Sequence, residues 1–182
     1  MKIKKNIVAI IGSASENSSN EKLIDFIKHQ TQNEFDIFIY NNLKQLPHFD
    51  PELSSNNPPQ EIIDFRNLIE NADGIIISTP EYIFSIPSGL KNALEWCVAT
   101  TVFSNKPLGI ITASAQGEKG HEELQLIMKT LMANFTADTT LLIQGIKGKI
   151  DSKGELTDEL TQKQLLNFID KYKILVFENS KK

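Results

Sequence analysis

Three short segments combine hydroxyls, prolines and glycines, each just behind a β-branched run. The first reads Gly12-Ser13-Ala14-Ser15-Glu16-Asn17-Ser18-Ser19-Asn20. It offers hydroxyls at Ser13, Ser15, Ser18 and Ser19 and runs into a helical pattern. Hydroxyls beside the N–H groups of a helix start are what a phosphate monoester needs. The Gly-Lys-Ser/Thr end of a P-loop is missing, and the single glycine excludes a dinucleotide fingerprint. On composition, an ordinary Ser-rich turn is equally open, since Ser18 and Glu21 are spaced as a capping box.

The second segment is Thr-Pro-Glu-Tyr-Ile-Phe-Ser-Ile-Pro-Ser-Gly, Thr79 to Gly89. Pro80 stops a strand. Pro87 suits the first turn of a helix, with Ser85 as its candidate N-cap. Between the prolines, Glu81 to Phe84 must run extended or turn tightly. Free backbone groups there match the edge of a planar heteroaromatic ring, and Tyr82 and Phe84 offer apolar faces. The third segment, Thr112 to Gly120, places two glycines, Ser114 and Gln116 behind a strand. Such a loop lets backbone come close to a flat ligand. Both segments also read as plain connections.

Other chemistry finds less support. His29, His48 and His121 lack metal-ligand spacing, and His48 is expected to be solvated. The one cysteine, Cys97, cannot form an intramolecular disulfide. Beside Trp96 on an apolar face, it is expected in core or interface rather than as a nucleophile. No Gly-x-Ser-x-Gly elbow occurs.

The elements that must position these loops follow from periodicity. Ile7–Ile11 is a continuous apolar run suited to a strand buried on both faces, and Phe35–Tyr40, interrupted by Asp36, Gly74–Thr79, Leu108–Ser114 and Thr139–Gly145 are four further strand-like runs. Helical patterns span Ser18–Gln30, a segment opened by Pro58-Pro59, Ile86–Thr100, His121–Phe135 and Thr157–Phe177. Arg66 is the exception on the apolar side of the second. Leu43–Pro59 has no period and reads as one long loop, a common place for function. Strand and helix alternate throughout, so the fold class is α/β, with a five-stranded parallel sheet of order 2-1-3-4-5 and helices on both faces. Ligands in such sheets bind at the carboxyl ends of the strands, where the order reverses; all three loops converge there. The 182 residues suit a single domain, 1–182. A net charge of −4 argues against a general nucleic-acid surface. The apolar run after Met-Lys-Ile-Lys-Lys is too short for a signal peptide, and no run reaches membrane-spanning length. A cytoplasmic chain is expected, with Lys181 and Lys182 as a solvated tip.

The loop sequences resemble those of the NAD(P)H-dependent FMN reductase family. Its usual first motif is Gly-Ser-x-Arg-x-x-Ser with Asn two positions on, matched by Gly12 to Ser18 and Asn20. Its second, Pro-Glu-Tyr-Asn-x-Ser-x-Pro then Leu-Lys-Asn-Ala-x-Asp/Glu-Trp, is matched by Pro80–Pro87 and Leu90–Trp96. The resemblance covers roughly Ile7 to Asn134 and implies a flavodoxin-like three-layer sandwich. It implies FMN as cofactor, NADPH or NADH as co-substrate, and a quinone-like or other small electron acceptor. It implies that Ser13, Ser15, Ser18 and Asn20 hold the phosphate. Pro80, Glu81, Tyr82 and Ile83 would line the isoalloxazine through backbone, and Ser114, Gln116 and Gly117 would approach its other edge. It also implies a homodimer or homotetramer, with the helix from Pro87 in the interface. Ser15 stands where the motif has Arg and Ile83 where it has Asn, removing a cation and a side-chain contact. Two alternatives stand beside this reading. A flavodoxin-like electron carrier lacks its Thr-x-Thr-Gly-Asn-Thr loop here; a flavin-free partner-binding domain draws on the changes at Ser15 and Ile83.

Overall fold

β-Branched residues that point alternately to two covered faces make the sheet. In a computed structural model, which describes residues 4–179, the strands are β1 (Lys5–Ile11), β2 (Phe35–Tyr40), β3 (Gly74–Thr79), β4 (Leu108–Ser114) and β5 (Thr140–Gln144). They pair in parallel in the expected order, β2-β1-β3-β4-β5. Lys181 and Lys182 lie outside the described residues.

Among the described residues the α-helices are α1 (Ser19–Gln30), α2 (Pro51–Asn56), α3 (Gln60–Glu70), α4 (Ser88–Glu95), α5 (Glu118–Thr130) and α6 (Glu159–Asn179). Val8 and Ile10 of β1 point into a core with Phe65 of α3, Leu90 of α4 and Leu124 of α5. Ile7, Ala9 and Ile11 point the other way, onto Leu23 and Ile27 of α1 and Phe168 and Tyr172 of α6. Each fully buried Ile is worth roughly 1.5–3 kcal/mol, whereas exposed ion pairs contribute about 0–1 kcal/mol. The two cores therefore set the fold.

Several expected boundaries move, each for a local reason. Leu43–Pro59 is not one loop. It contains a 3-10 turn at Leu43–Gln45, and then α2, where Asp50 caps the N–H groups of Glu52 and Leu53 and Pro51 opens the helix. The helix expected at Ile86–Thr100 is only Ser88–Glu95. Pro87 sits at its N-cap position with an extended ψ of 141°, and Ser85 is not the cap because its hydroxyl donates to Glu123 instead. Helix α5 starts three residues before His121, behind Gly117 at φ 96°. It stops well short of Phe135, because Met132 turns left-handed at φ 60° and the Asn134 carbonyl is drawn to the sheet rim by the Leu108 N–H.

Candidate functional site

Close approach of two strand ends creates the site. Gly12 follows β1 and donates its N–H to the Ser78 carbonyl of β3 at 2.8 Å. A Cβ at Gly12 would fall 2.2 Å from Thr79 Oγ1, so only glycine fits. The chain then turns outward through Ser13–Ser18 and enters α1. Ser18 caps that helix by accepting the Glu21 N–H at 3.2 Å. Only half of the expected capping box forms, since the Glu21 carboxylate accepts from Asn41 at 3.3 Å.

Asn20 does something its sequence position did not announce. It is 3% exposed. Its Nδ2 donates to the Ala113 carbonyl of β4 at 3.1 Å, and its Oδ1 accepts the Ser78 hydroxyl of β3 at 3.1 Å. The side chain expected at a phosphate fastens the first turn of α1 to two strands.

A cleft of about 440 Å³ opens beside this loop. Ser13, Ser15 and Tyr82 line it. Ser13 Oγ accepts the Ser15 N–H at 3.2 Å and lies 3.4 Å from Tyr82 Oη, which joins the first loop to the second. The far wall comes from the segment after β2, including Leu43, Lys44 and His48, and from the start of α4. The sequence marked Leu43–Pro59 as a place for function but did not tie it to the other loops. The signal was present in the motif Leu90–Trp96. Asn92 donates to the Pro47 carbonyl at 2.9 Å and accepts the Phe49 N–H at 2.7 Å, while Trp96 Nε1 reaches the same Pro47 carbonyl at 2.8 Å. Asn and Trp four apart on one helix face thus dock the wall. Arg66 explains its place on an apolar helix side: its guanidinium donates to the Trp96 carbonyl and to Ser54, closing the end of α4 over α2.

The Pro80–Pro87 loop is a tight hairpin. The Tyr82 N–H donates to the Ser85 carbonyl at 2.9 Å, and the Ser85 N–H returns to Tyr82 at 3.2 Å. Ile83 and Phe84, at φ 52° and 60°, are the two left-handed residues of a type I′ turn. They are 93% and 70% exposed. Two carboxylates brace the hairpin's shoulders. Glu81 accepts the Gly120 N–H near the start of α5 at 2.8 Å, and Glu123 accepts the Ser85 hydroxyl at 2.6 Å and the Ile86 N–H at 3.0 Å.

The third loop sits behind this hairpin, outside the cleft wall. Ser114 donates to the Glu81 carbonyl at 3.4 Å, Gly117 is buried at the head of α5, and Gln116 is exposed. Pro80 is buried, its carbonyl accepting the Thr79 hydroxyl at 3.0 Å. The expected site residues therefore divide. Ser13, Ser15 and Tyr82 border the cleft; Asn20, Glu81 and Ser114 hold those that do.

His121 Nδ1 lies 2.8 Å from the buried Thr112 hydroxyl, and burial lowers the imidazole pKa. His48 is solvated as expected, yet borders the cleft. Cys97 is in the core, and burial pushes its thiol up to about 12, the opposite of an activated nucleophile.

This arrangement fits a flavin mononucleotide in kind and size. Serine hydroxyls stand at the head of a twelve-residue helix for a phosphate. A phenol and a hairpin of fixed shape stand beside them for a ring, in a cleft within the volume range of small-ligand sites.

A sequence model of the NADPH-dependent FMN reductase family matches residues 5–145. Among characterised proteins, the chain is 32% identical to an NADH:(hydroxy)cinnamate reductase subunit of Vibrio ruber, covering 85% of this chain and 78% of that one. It is 30% identical to a 2-hydroxy-1,4-benzoquinone reductase of a Burkholderia species, covering 91% and 93%. Among solved structures, a flavoenzyme NAD(P)H:(acceptor) oxidoreductase of Paracoccus denitrificans superposes with a TM-score of 0.84 at 23% identity, over 96% of this chain and 98% of that one.

Proposed function

The chain belongs to the NADPH-dependent FMN reductase family and is an FMN-dependent oxidoreductase that uses NAD(P)H, and from that premise we propose that its flavin occupies the cleft between Ser13 and Tyr82. The observation that carries this reading is the direct meeting of the two motif loops there, Ser13 Oγ to Tyr82 Oη, at the switch point of the sheet.

When bound, FMN supplies the hydride and electron chemistry between a reduced nicotinamide and a small quinone-like acceptor. The protein's part is position. Ser13, Ser15 and Ser18 give hydroxyls to the phosphate at the head of α1. Asn20 keeps that head in register with β3 and β4. The backbone of Pro80, Glu81, Tyr82 and Ile83 borders the ring, and Ser114, Gln116 and Gly117 belong to its other edge, Ser114 also holding the Glu81 carbonyl. No side chain is assigned as acid or base.

A cytoplasmic chain of one domain, 1–182, belongs to this reading: use of NAD(P)H supports the first, and the one five-stranded sheet of the described residues supports the second. Exposed Ile83, Phe84 and Val98 favour a homodimer or homotetramer; light scattering at several concentrations reads this directly. Among the described residues no helix is long and apolar enough to cross a membrane.

The test is a visible spectrum of the purified protein, followed by anaerobic NADPH or NADH. The flavin bands should bleach with either or both nucleotides. A colourless protein that neither takes up FMN nor oxidises either nucleotide refutes the reading. Retained FMN without nucleotide oxidation would instead favour an electron carrier.

A further inference from the structure

The loop proposed to hold the phosphate carries no positive charge of its own. From Gly12 to Asn20 its one ionisable side chain is Glu16. A phosphate monoester bears about 1.5 to 2 negative charges at pH 7, so hydroxyls and a helix terminus would have to bind it against a neighbouring carboxylate. A cation arrives from elsewhere in the fold. Lys44 lies in the 3-10 turn after β2, borders the same cleft, and holds its Nζ 3.7 Å from Glu16 Oε1. Among the described residues bordering the cleft, it is the one lysine or arginine.

Three features make Lys44 suited to that task. Its backbone is anchored by Leu43 and Leu46, both buried, so the base of the side chain is fixed. Its ammonium and the Glu16 carboxylate are both exposed, at 63% and 87%, so their pairing is weak and exchangeable. Asn41, three residues earlier, is tied to Glu21 of α1, which holds the two segments in register.

We propose that Lys44 is the phosphate-binding cation of this chain, kept beside the Ser13–Ser18 loop by Glu16 and transferred to the phosphate when the cofactor enters. Glu16 then opposes cofactor binding as well as placing the lysine. The inference rests on the flavin reading of the cleft and concerns only how the phosphate end is read.

The experiment compares FMN with riboflavin, which has the ring and ribityl chain but no phosphate. Each is titrated into the flavin-free full chain, following flavin fluorescence, at low and high salt. Lys44→Gln should weaken FMN about fivefold, leave riboflavin unchanged, and flatten the salt dependence of FMN binding. Lys44→Arg should retain FMN affinity, and Glu16→Gln should raise it. An equal loss for both flavins would make Lys44 a packing residue and overturn the proposal, as would no change for either. A wild-type chain that binds neither flavin refutes the cleft assignment itself, an outcome distinct from those two.

Discussion

Ile83 is the residue where local preference and structure disagree most. A β-branched side chain at φ 52° pays for a left-handed backbone that Asn or Gly adopts readily. Its side chain is 93% exposed and regains little by burial. Ile83→Asn should therefore raise the unfolding free energy by about 0.5–1 kcal/mol, read from urea denaturation. A loss of stability would mean that Ile83 packs against something in solution. The identity of this residue was legible as a departure from the family motif; its strain was not, because Tyr-Ile-Phe-Ser contains none of the Gly, Asn or Asp that mark a type I′ turn. His121 belongs to the same scale. Burial holds its imidazole below the usual 6.5, against the raising field of Glu122. The folded state favours neutral His121, so its contribution is whole above pH 6.5 and fades as pH falls through the lowered folded value. Replacing it in His121→Gln should flatten the acid-side decline of melting temperature. Superimposable pH profiles for variant and wild type would remove His121 from the account.

At the scale of elements, the site depends on braces whose ends lie far apart in sequence. The hairpin between Pro80 and Pro87 is held by carboxylates at Glu81 and Glu123. Glu123→Ala would leave the Ser85 hydroxyl and the Ile86 N–H without their acceptor, at a cost of about 1–3 kcal/mol. The urea midpoint should fall accordingly and FMN affinity with it, while Glu123→Gln keeps a carbonyl in place and should lose less. Equal stability of wild type and Glu123→Ala would show that water replaces the carboxylate. Strand runs were readable almost to the residue: β1, β3 and β4 are buried on both faces and need continuous apolar sequence, while β2 and β5 at the sheet edges keep enough apolar residues to show despite exposed Asp36, Phe38 and Gln144. Helix ends were not. Ser85 had the spacing of an N-cap but was recruited by Glu123, 38 residues on. Asn20 had the look of a ligand residue but satisfies β3 and β4. Such partners are set by tertiary contact, which no local pattern encodes. The cleft's second wall, Leu43 to His48, was hidden for a related reason: its tie to α4 runs through Asn92 and Trp96 to the Pro47 carbonyl, more than forty residues away in sequence.

For the molecule as a whole, the cleft draws on the loop ahead of α1, the hairpin after β3, and the segment between β2 and α2. A ligand that touches all three and binds only the folded chain must stabilise all of it. FMN at 100 times its dissociation constant should add about 2.7 kcal/mol, visible as a concentration-dependent rise in melting temperature. A melting temperature indifferent to FMN would sever the cleft from the cofactor. The two cores make different demands on the chain. The one facing α3, α4 and α5 is complete once Met128 is in place. The other needs Leu165, Phe168, Tyr172 and Val176 of α6 laid across β1, β3 and β4. During translation, then, the apolar Ile7, Ile76 and Ile111 stay only partly covered until Val176 has left the ribosome. That face of the sheet is finished last, and a nascent chain stopped before α6 presents chaperones with a β-surface covered by α1 alone.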